Sequence, residues 1–146
     1  SIDTSVLVVI AASFALGLAL DKTGGADWIS GLLLPLTTIS PLVALIVIYV
    51  LTVILTELIT NNAAAIMMFP IAVSVAAQSE SSVLPFAIAL MVAASASFIT
   101  PLGYQTNLMV YGPGQYRFTD YMKIGIPLSI LVGITALSVI PVVWPF

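Results

Sequence analysis

Two oxygen-rich clusters interrupt an otherwise apolar chain, and any chemistry it performs must lie in them. The first is Thr56-Glu57 with Thr60-Asn61-Asn62; the second is Pro101-Leu102-Gly103 with Tyr104-Gln105-Thr106-Asn107. Hydroxyls and amides, beside backbone freed by proline and glycine, supply oxygen ligands to a hard cation and hydrogen-bond donors to an anion. Hydrolytic and redox chemistry are poorly served. The chain has no His and no Cys, so zinc, haem, disulfide and imidazole chemistry lack their usual groups. The sequence therefore reads as a binding or carrier protein, not an enzyme, with no organic cofactor.

The elements that hold these clusters must sit in lipid. Of 146 residues, 61% are hydrophobic and 6% charged, against about a quarter charged in a soluble domain. The nine charges, Asp3, Asp21, Lys22, Asp27, Glu57, Glu80, Arg117, Asp120 and Lys123, leave apolar stretches of transmembrane length between them. The fold class expected is an all-α integral membrane protein. A net charge of −3 without a basic patch excludes nucleic acid as a partner.

Residues 1–146 read as a single transmembrane region. A crossing helix over 4–20 ends at the polar, Gly-rich Asp21 to Gly25. The stretch 28–39, opened by Trp28 and interrupted by Pro35, suits an interfacial helix. Residues 41–77 form a helical hairpin about Thr60-Asn61-Asn62, with Ala63 opening its second arm. Residues 83–115 form a broken helix, interrupted at Pro101 to Asn107. Its small residues, Ala87, Ala89, Ala93, Ala94, Ser95, Ala96 and Ser97, fit burial against other helices. An aromatic and charged belt over Tyr116 to Tyr121 precedes a last crossing helix over 124–146. The chain opens with Ser1, has no basic leader and ends inside an apolar segment, as expected of part of a longer polypeptide.

Both interruptions are informative, because an unpaired backbone group in lipid costs several kcal/mol and survives only where protein or a wet cavity covers it. Secondary transporters use such broken helices to hold anions at helix N-termini and cations on freed carbonyls. Thr56 and Thr60, four residues apart, would share a helix face. Neither Lys, Arg, Trp nor Tyr flanks Thr60 to Asn62, which favours a buried tip over a surface turn. Gly103 is the expected carbonyl ligand, the alternative being a simple proline kink. Glu57, an acid inside an apolar run, either carries a proton or neutralises a cation, or else hydrogen-bonds loose backbone.

At these residues the chain resembles the divalent-anion/sodium symporter family of the ion-transporter superfamily. Leu55-Thr56-Glu57-Leu58-Ile59-Thr60-Asn61-Asn62-Ala63 is similar to that family's second hairpin tip, and Pro101-Leu102-Gly103 through Asn107 to the unwound loop that follows. The resemblance implies the second of two inverted repeats, a missing N-terminal repeat, and a homodimer working by alternating access. It implies a sodium site from Thr56, Asn61 and the carbonyl of Gly103, with Na+ as the coupling ion. Thr60, Asn61, Asn62, Thr106 and Asn107 would face the small divalent anion. The family's tip is commonly Ser-Asn-Thr, and dicarboxylate carriers tend to have Thr-Pro-Pro where this chain has Tyr104-Gln105-Thr106. The Tyr-Gln-Thr-Asn form is more similar to the sulfate-type branch.

Arg117 and Lys123 against Lys22 alone place the Arg117 loop in the cytoplasm, with residues 22–40 and 78–82 on the opposite face of a plasma (inner) membrane. Two other functions fit the same residues: a proton- or cation-coupled antiporter or efflux carrier with Glu57 as its acid, and a non-transporting, anion-sensing membrane subunit.

Overall fold

Serine and threonine oxygens start the three central helices. Ser40 accepts from Val43 N–H at 3.2 Å with Pro41 next in line, Thr60 accepts from Ala63 N–H at 3.4 Å, and Ser82 accepts from Leu84 N–H at 3.3 Å. The structure is a computed structural model that describes residues 4–37 and 40–146. Its described elements are all helices: α1 (Thr4–Lys22), α2 (Gly25–Thr37), α3 (Pro41–Thr56), α4 (Asn61–Gln78), α5 (Val83–Ser95), α6 (Gln105–Tyr111) and α7 (Phe118–Val143).

Helices α3, α4 and α5 pack on one another around a core of Ala44, Leu45, Ile48, Met68, Ile71, Val75, Phe86, Ala89, Leu90 and Ala93. Alanine recurs wherever helices meet: Ala44, Ala64, Ala76, Ala89 and Ala93 are all 0% exposed. Such small side chains let backbones approach in a solvent where apolar burial gives no drive between helices. The expectation that the small-residue run is buried holds for α5, whose Pro85, Phe86, Ala89, Leu90, Ala93 and Ala94 are enclosed at helical spacing.

The remaining helices wrap this core. Helix α1 lies on α4, with Gly17 against Ile66, while α2 bridges α3 and α4. At its start, Asp27 accepts from Ser74 Oγ at 2.7 Å and Ser30 accepts from Gln78 Nε2 at 2.7 Å. The beginning of α2 and the end of α4 thus share one end of the molecule. Helix α7 touches α5 and α3 through a thin seam, Gly125, Gly133 and Ile140, and leaves Ile124, Leu131, Ile134 and Val142 exposed. Two of its exposed hydroxyls bond to their own helix, Thr135 to Leu131 O and Ser138 to Ile134 O, which suits a lipid-facing surface. Among the described residues, α4 and α7 are long and apolar enough to cross a membrane.

Several boundaries differ from the sequence reading. Helix α2 starts at Gly25 and runs through Pro35, and residues 38 and 39 of the expected interfacial helix lie outside the described residues. Helix α7 starts at Phe118, inside the expected belt, because Asp120 accepts the Arg117 N–H at 2.9 Å and so satisfies a first-turn donor. Helix α4 takes in Asn61 and Asn62 as its first turn. Helix α6 likewise takes in Gln105, Thr106 and Asn107.

Gly125 meets the chain after α5 directly. A Cβ built there would collide with the Phe98 carbonyl and stand 2.7 Å from Ile99 Cα, so only backbone could yield. Gly125→Ala is expected to destabilise the protein by about 1–3 kcal/mol as an overpacked contact. A detergent melting curve superimposable on wild type would contradict that packing.

Candidate functional site

Helix α3 ends at Thr56 and α5 ends at Ser95. Each end leaves backbone groups without helical partners, and the two ends satisfy each other. Thr100 Oγ1 donates to Glu57 O at 3.0 Å, and Ser97 Oγ donates to Thr56 O at 3.3 Å. In return the Glu57 carboxylate accepts from two successive amides, Ile99 N–H at 2.8 Å on Oε1 and Thr100 N–H at 2.7 Å on Oε2. Asn107 Nδ2 donates to Ser97 O at 3.2 Å and Thr100 O at 3.4 Å, and Tyr121 OH donates to Asn107 O at 2.9 Å.

These contacts explain where α5 stops. The sequence reading puts the interruption at Pro101, but the helix has already ended at Ser95. Glu57, 6% exposed, withdraws the Ile99 and Thr100 amides from the helical ladder, and hydrogen bonds to a charged group are worth about 1.5–3 kcal/mol. Of the readings left open for Glu57, the structure shows it holding loose backbone.

On the other side of this junction a second set of oxygens converges. Thr56, 0% exposed, donates to Ala94 O at 2.7 Å. The Asn61 amide reaches the same spot from the first turn of α4. With Nδ2 inward it donates to Thr56 Oγ1 at 3.0 Å, Gly103 O at 3.2 Å and Ala94 O at 3.3 Å. With Oδ1 inward, 3.0 Å from Thr56 Oγ1, four oxygens face one another with a single hydroxyl proton among them. That second arrangement is repulsive unless a cation lies between, and a hydroxyl, an amide and two carbonyls form a neutral oxygen set suited to a hard monovalent ion. Among the described residues, no three His, Cys, Asp or Glu side chains gather to hold a metal.

Gly103 fits here because nothing larger can. A Cβ would collide with Ser97 Oγ, stand 2.5 Å from Thr56 O and lie 3.2 Å from Glu57 Cα. Its amide donates to Thr100 Oγ1 at 3.3 Å, which anchors the peptide that enters Gly103, one residue's torsions from the carbonyl that faces Asn61.

Thr56, Asn61 and Gly103 are therefore brought together. Thr60, Asn62 and Thr106 are exposed around them, with the Thr60 hydroxyl capping α4. Asn107 departs from its expected role, since its Nδ2 is turned inward onto loop carbonyls. The pairing of Thr56 with Thr60 on one helix face also fails: the helix ends at Thr56, and Thr60 is the cap of the next helix. Asn61, brought back by the turn, is the partner of Thr56. Sequence reasoning missed Ala94, Ser97, Ile99 and Thr100, which act mainly through backbone atoms; Ser97 and Thr100 alone carried a polar signal.

Comparison with known proteins identifies the family. The family model described as "Citrate transporter" matches residues 1–146. An uncharacterized transporter of Synechocystis is 40% identical over 133 residues, covering 90% of this chain and 22% of the relative. A putative sulfur deprivation response regulator of Chlamydomonas reinhardtii is 40% identical over 146 residues, covering 97% and 24%. Sodium/sulfate cotransporter 2 of the same alga is 41% identical over 133 residues, covering 90% and 15%. The chain thus spans a quarter or less of these relatives' lengths. With a family model matching residues 1–146, the chain belongs to the citrate transporter family.

Proposed function

We propose that this chain forms the second inverted-repeat half of a sodium-coupled symporter for a small divalent anion, sulfate before dicarboxylate. The observation that carries the reading is the convergence of Thr56 Oγ1, the Asn61 amide, Ala94 O and Gly103 O on one neutral pocket. Asn61 closes it with Nδ2 when no cation is present and offers Oδ1 when Na+ is the cargo. Thr60, Asn62 and Thr106 stand exposed beside it at the start of α4 and α6, where donors face an anion. The charge of Na+ strengthens that attraction, so cation and anion load together.

Helix lengths support a site inside the bilayer. At about 1.5 Å per residue, the 16 residues of α3 and the 13 of α5 reach about 24 and 20 Å, short of the about 30 Å hydrocarbon layer. On this reading the α3–α4 pair is re-entrant, although α4 alone is long enough to cross, and α5–α6 is a broken crossing helix, both buried against the N-terminal repeat in a multi-pass plasma-membrane homodimer. Alternating access follows when the loaded body moves between the two faces. The Chlamydomonas relative named for sodium/sulfate cotransport supports both the ion and the anion.

The test is uptake of labelled sulfate against labelled succinate by the complete transporter in proteoliposomes. An inward sodium gradient is expected to drive sulfate accumulation, and equal uptake in choline buffer overturns the assignment. A second reading, an anion sensor without flux, is favoured by the relative named as a sulfur deprivation response regulator. Saturable sulfate binding with no flux in the same vesicles selects it. Proton exchange through Glu57 has less support, since both carboxylate oxygens are engaged by backbone amides.

A further inference from the structure

Glu57 and Gly103 are linked by a short chain of contacts that runs through Thr100. Glu57 Oε2 holds the Thr100 N–H at 2.7 Å, Thr100 Oγ1 donates back to Glu57 O at 3.0 Å, and the same Oγ1 accepts from Gly103 N–H at 3.3 Å. Gly103 O then faces Asn61 in the candidate cation pocket. Glu57 also follows Thr56, which supplies the pocket hydroxyl. The residues that carry two of the four pocket oxygens, Thr56 and Gly103, are thus tied together, across the 43 residues of the Glu57–Thr100 contact, by one carboxylate and one hydroxyl that are not themselves in the pocket.

We infer that Glu57 and Thr100 are positioning residues for the coupling cation: they hold the Gly103 carbonyl and the end of α3 in register, so the pocket is built before the ion arrives. The inference rests on the sodium-symport reading. It assigns the intramembrane carboxylate to preorganisation, where the same residue had also suited proton carriage. Ordering a loop only when the ion binds lowers apparent affinity, and a loop already fastened to the helix end avoids that loss. The Thr100 hydroxyl touches the pocket's frame only through its two bonds, to Glu57 O and from Gly103 N–H, which makes it the cleaner probe.

The experiment uses the complete transporter in proteoliposomes, with wild type, Glu57→Gln, Thr100→Val and Thr100→Ser. Initial sulfate uptake is measured against sodium concentration, and amide hydrogen exchange over residues 97–103 is followed with and without sodium. Glu57→Gln keeps one acceptor but turns an NH2 towards a backbone donor. It is expected to raise the sodium half-saturation concentration about ten-fold or more, as loss of a charge-assisted bond implies, while the rate at saturating sodium stays within about three-fold. Thr100→Val moves it the same way, and Thr100→Ser restores the wild-type value. Faster exchange over 97–103 in sodium-free buffer is expected in Glu57→Gln and Thr100→Val, with sodium slowing it again.

Unchanged sodium half-saturation in Thr100→Val overturns the inference, as does a fall in maximal rate alone, which a merely structural defect produces. Thr100→Val keeps the test decisive where Glu57→Gln fails to insert. A wild-type protein whose uptake ignores sodium is a different failure, because it removes the symport reading and this inference with it. Sodium-dependent wild type with unshifted variants removes the inference alone.

Discussion

Asn61→Ala is expected to abolish sodium-driven uptake by the complete transporter, with a loss of about 100-fold or more in the initial rate at low sodium. The magnitude follows from what the amide does. It is the group that meets Thr56 Oγ1 at 3.0 Å, Gly103 O at 3.2 Å and Ala94 O at 3.3 Å, and losing neutral hydrogen bonds of this kind costs about 0.5–1.5 kcal/mol each, where about 1.4 kcal/mol is ten-fold. Alanine leaves the Gly103 carbonyl without the Asn61 donor and the cage one oxygen short, while Ala94 O keeps only Thr56 Oγ1. Uptake at the wild-type rate without sodium would show that the pocket has no part in coupling. Asn61 is the second residue of a capped turn, half-buried, with Thr60 still holding Ala63, so the helical circular dichroism should change little.

The second large effect is expected at Gly103→Ala. The new methyl group must push aside Ser97 Oγ and approaches Thr56 O at 2.5 Å; the first is a small side chain, the second is main chain. Overpacking costs about 1–3 kcal/mol, and here the strain falls on the carbonyl that faces Asn61. Uptake should fall by about 10-fold to 100-fold with the protein still inserted. Combining Gly103→Ala with Ser97→Ala tests the origin of the defect, because it removes the nearer obstacle and leaves the main-chain one. Partial recovery is expected. Full recovery would place the whole clash on Ser97, and no recovery would place it on the Thr56 carbonyl.

The sequence made the location of the site legible through residues that do not belong in lipid. Thr60-Asn61-Asn62 and Gly103 stood out because polar atoms and helix breakers were otherwise sparse, and Thr56, Asn61 and Gly103 do meet. What could not be read was the extent of the break. Helix α5 ends at Ser95 under the influence of Glu57, 42 residues earlier in the chain by its contact with Ile99. A local pattern sees Pro101 and misses that capture. Ala94 contributes only a carbonyl, and alanine carries no sign of such use.

Asn107 shows the converse error. Its amide type suggested a ligand to the anion, but the first turn of α6 aims it at Ser97 O and Thr100 O. Its partners are carbonyls of the chain between α5 and α6, which the run around Asn107 does not contain. The even choice over Glu57 was of the same kind: its role depends on donors from another segment, which a single run of sequence does not contain.

Asn62 and Thr106 stand exposed in the first turns of α4 and α6, while Thr56, Gly103 and Glu57 are buried. Substitution at the two outer positions changes shape and polarity towards an incoming solute and leaves the helix junction intact. On the proposed symport reading, a few replacements at these two positions would exchange one nutrient for another and keep the energy source that drives its accumulation.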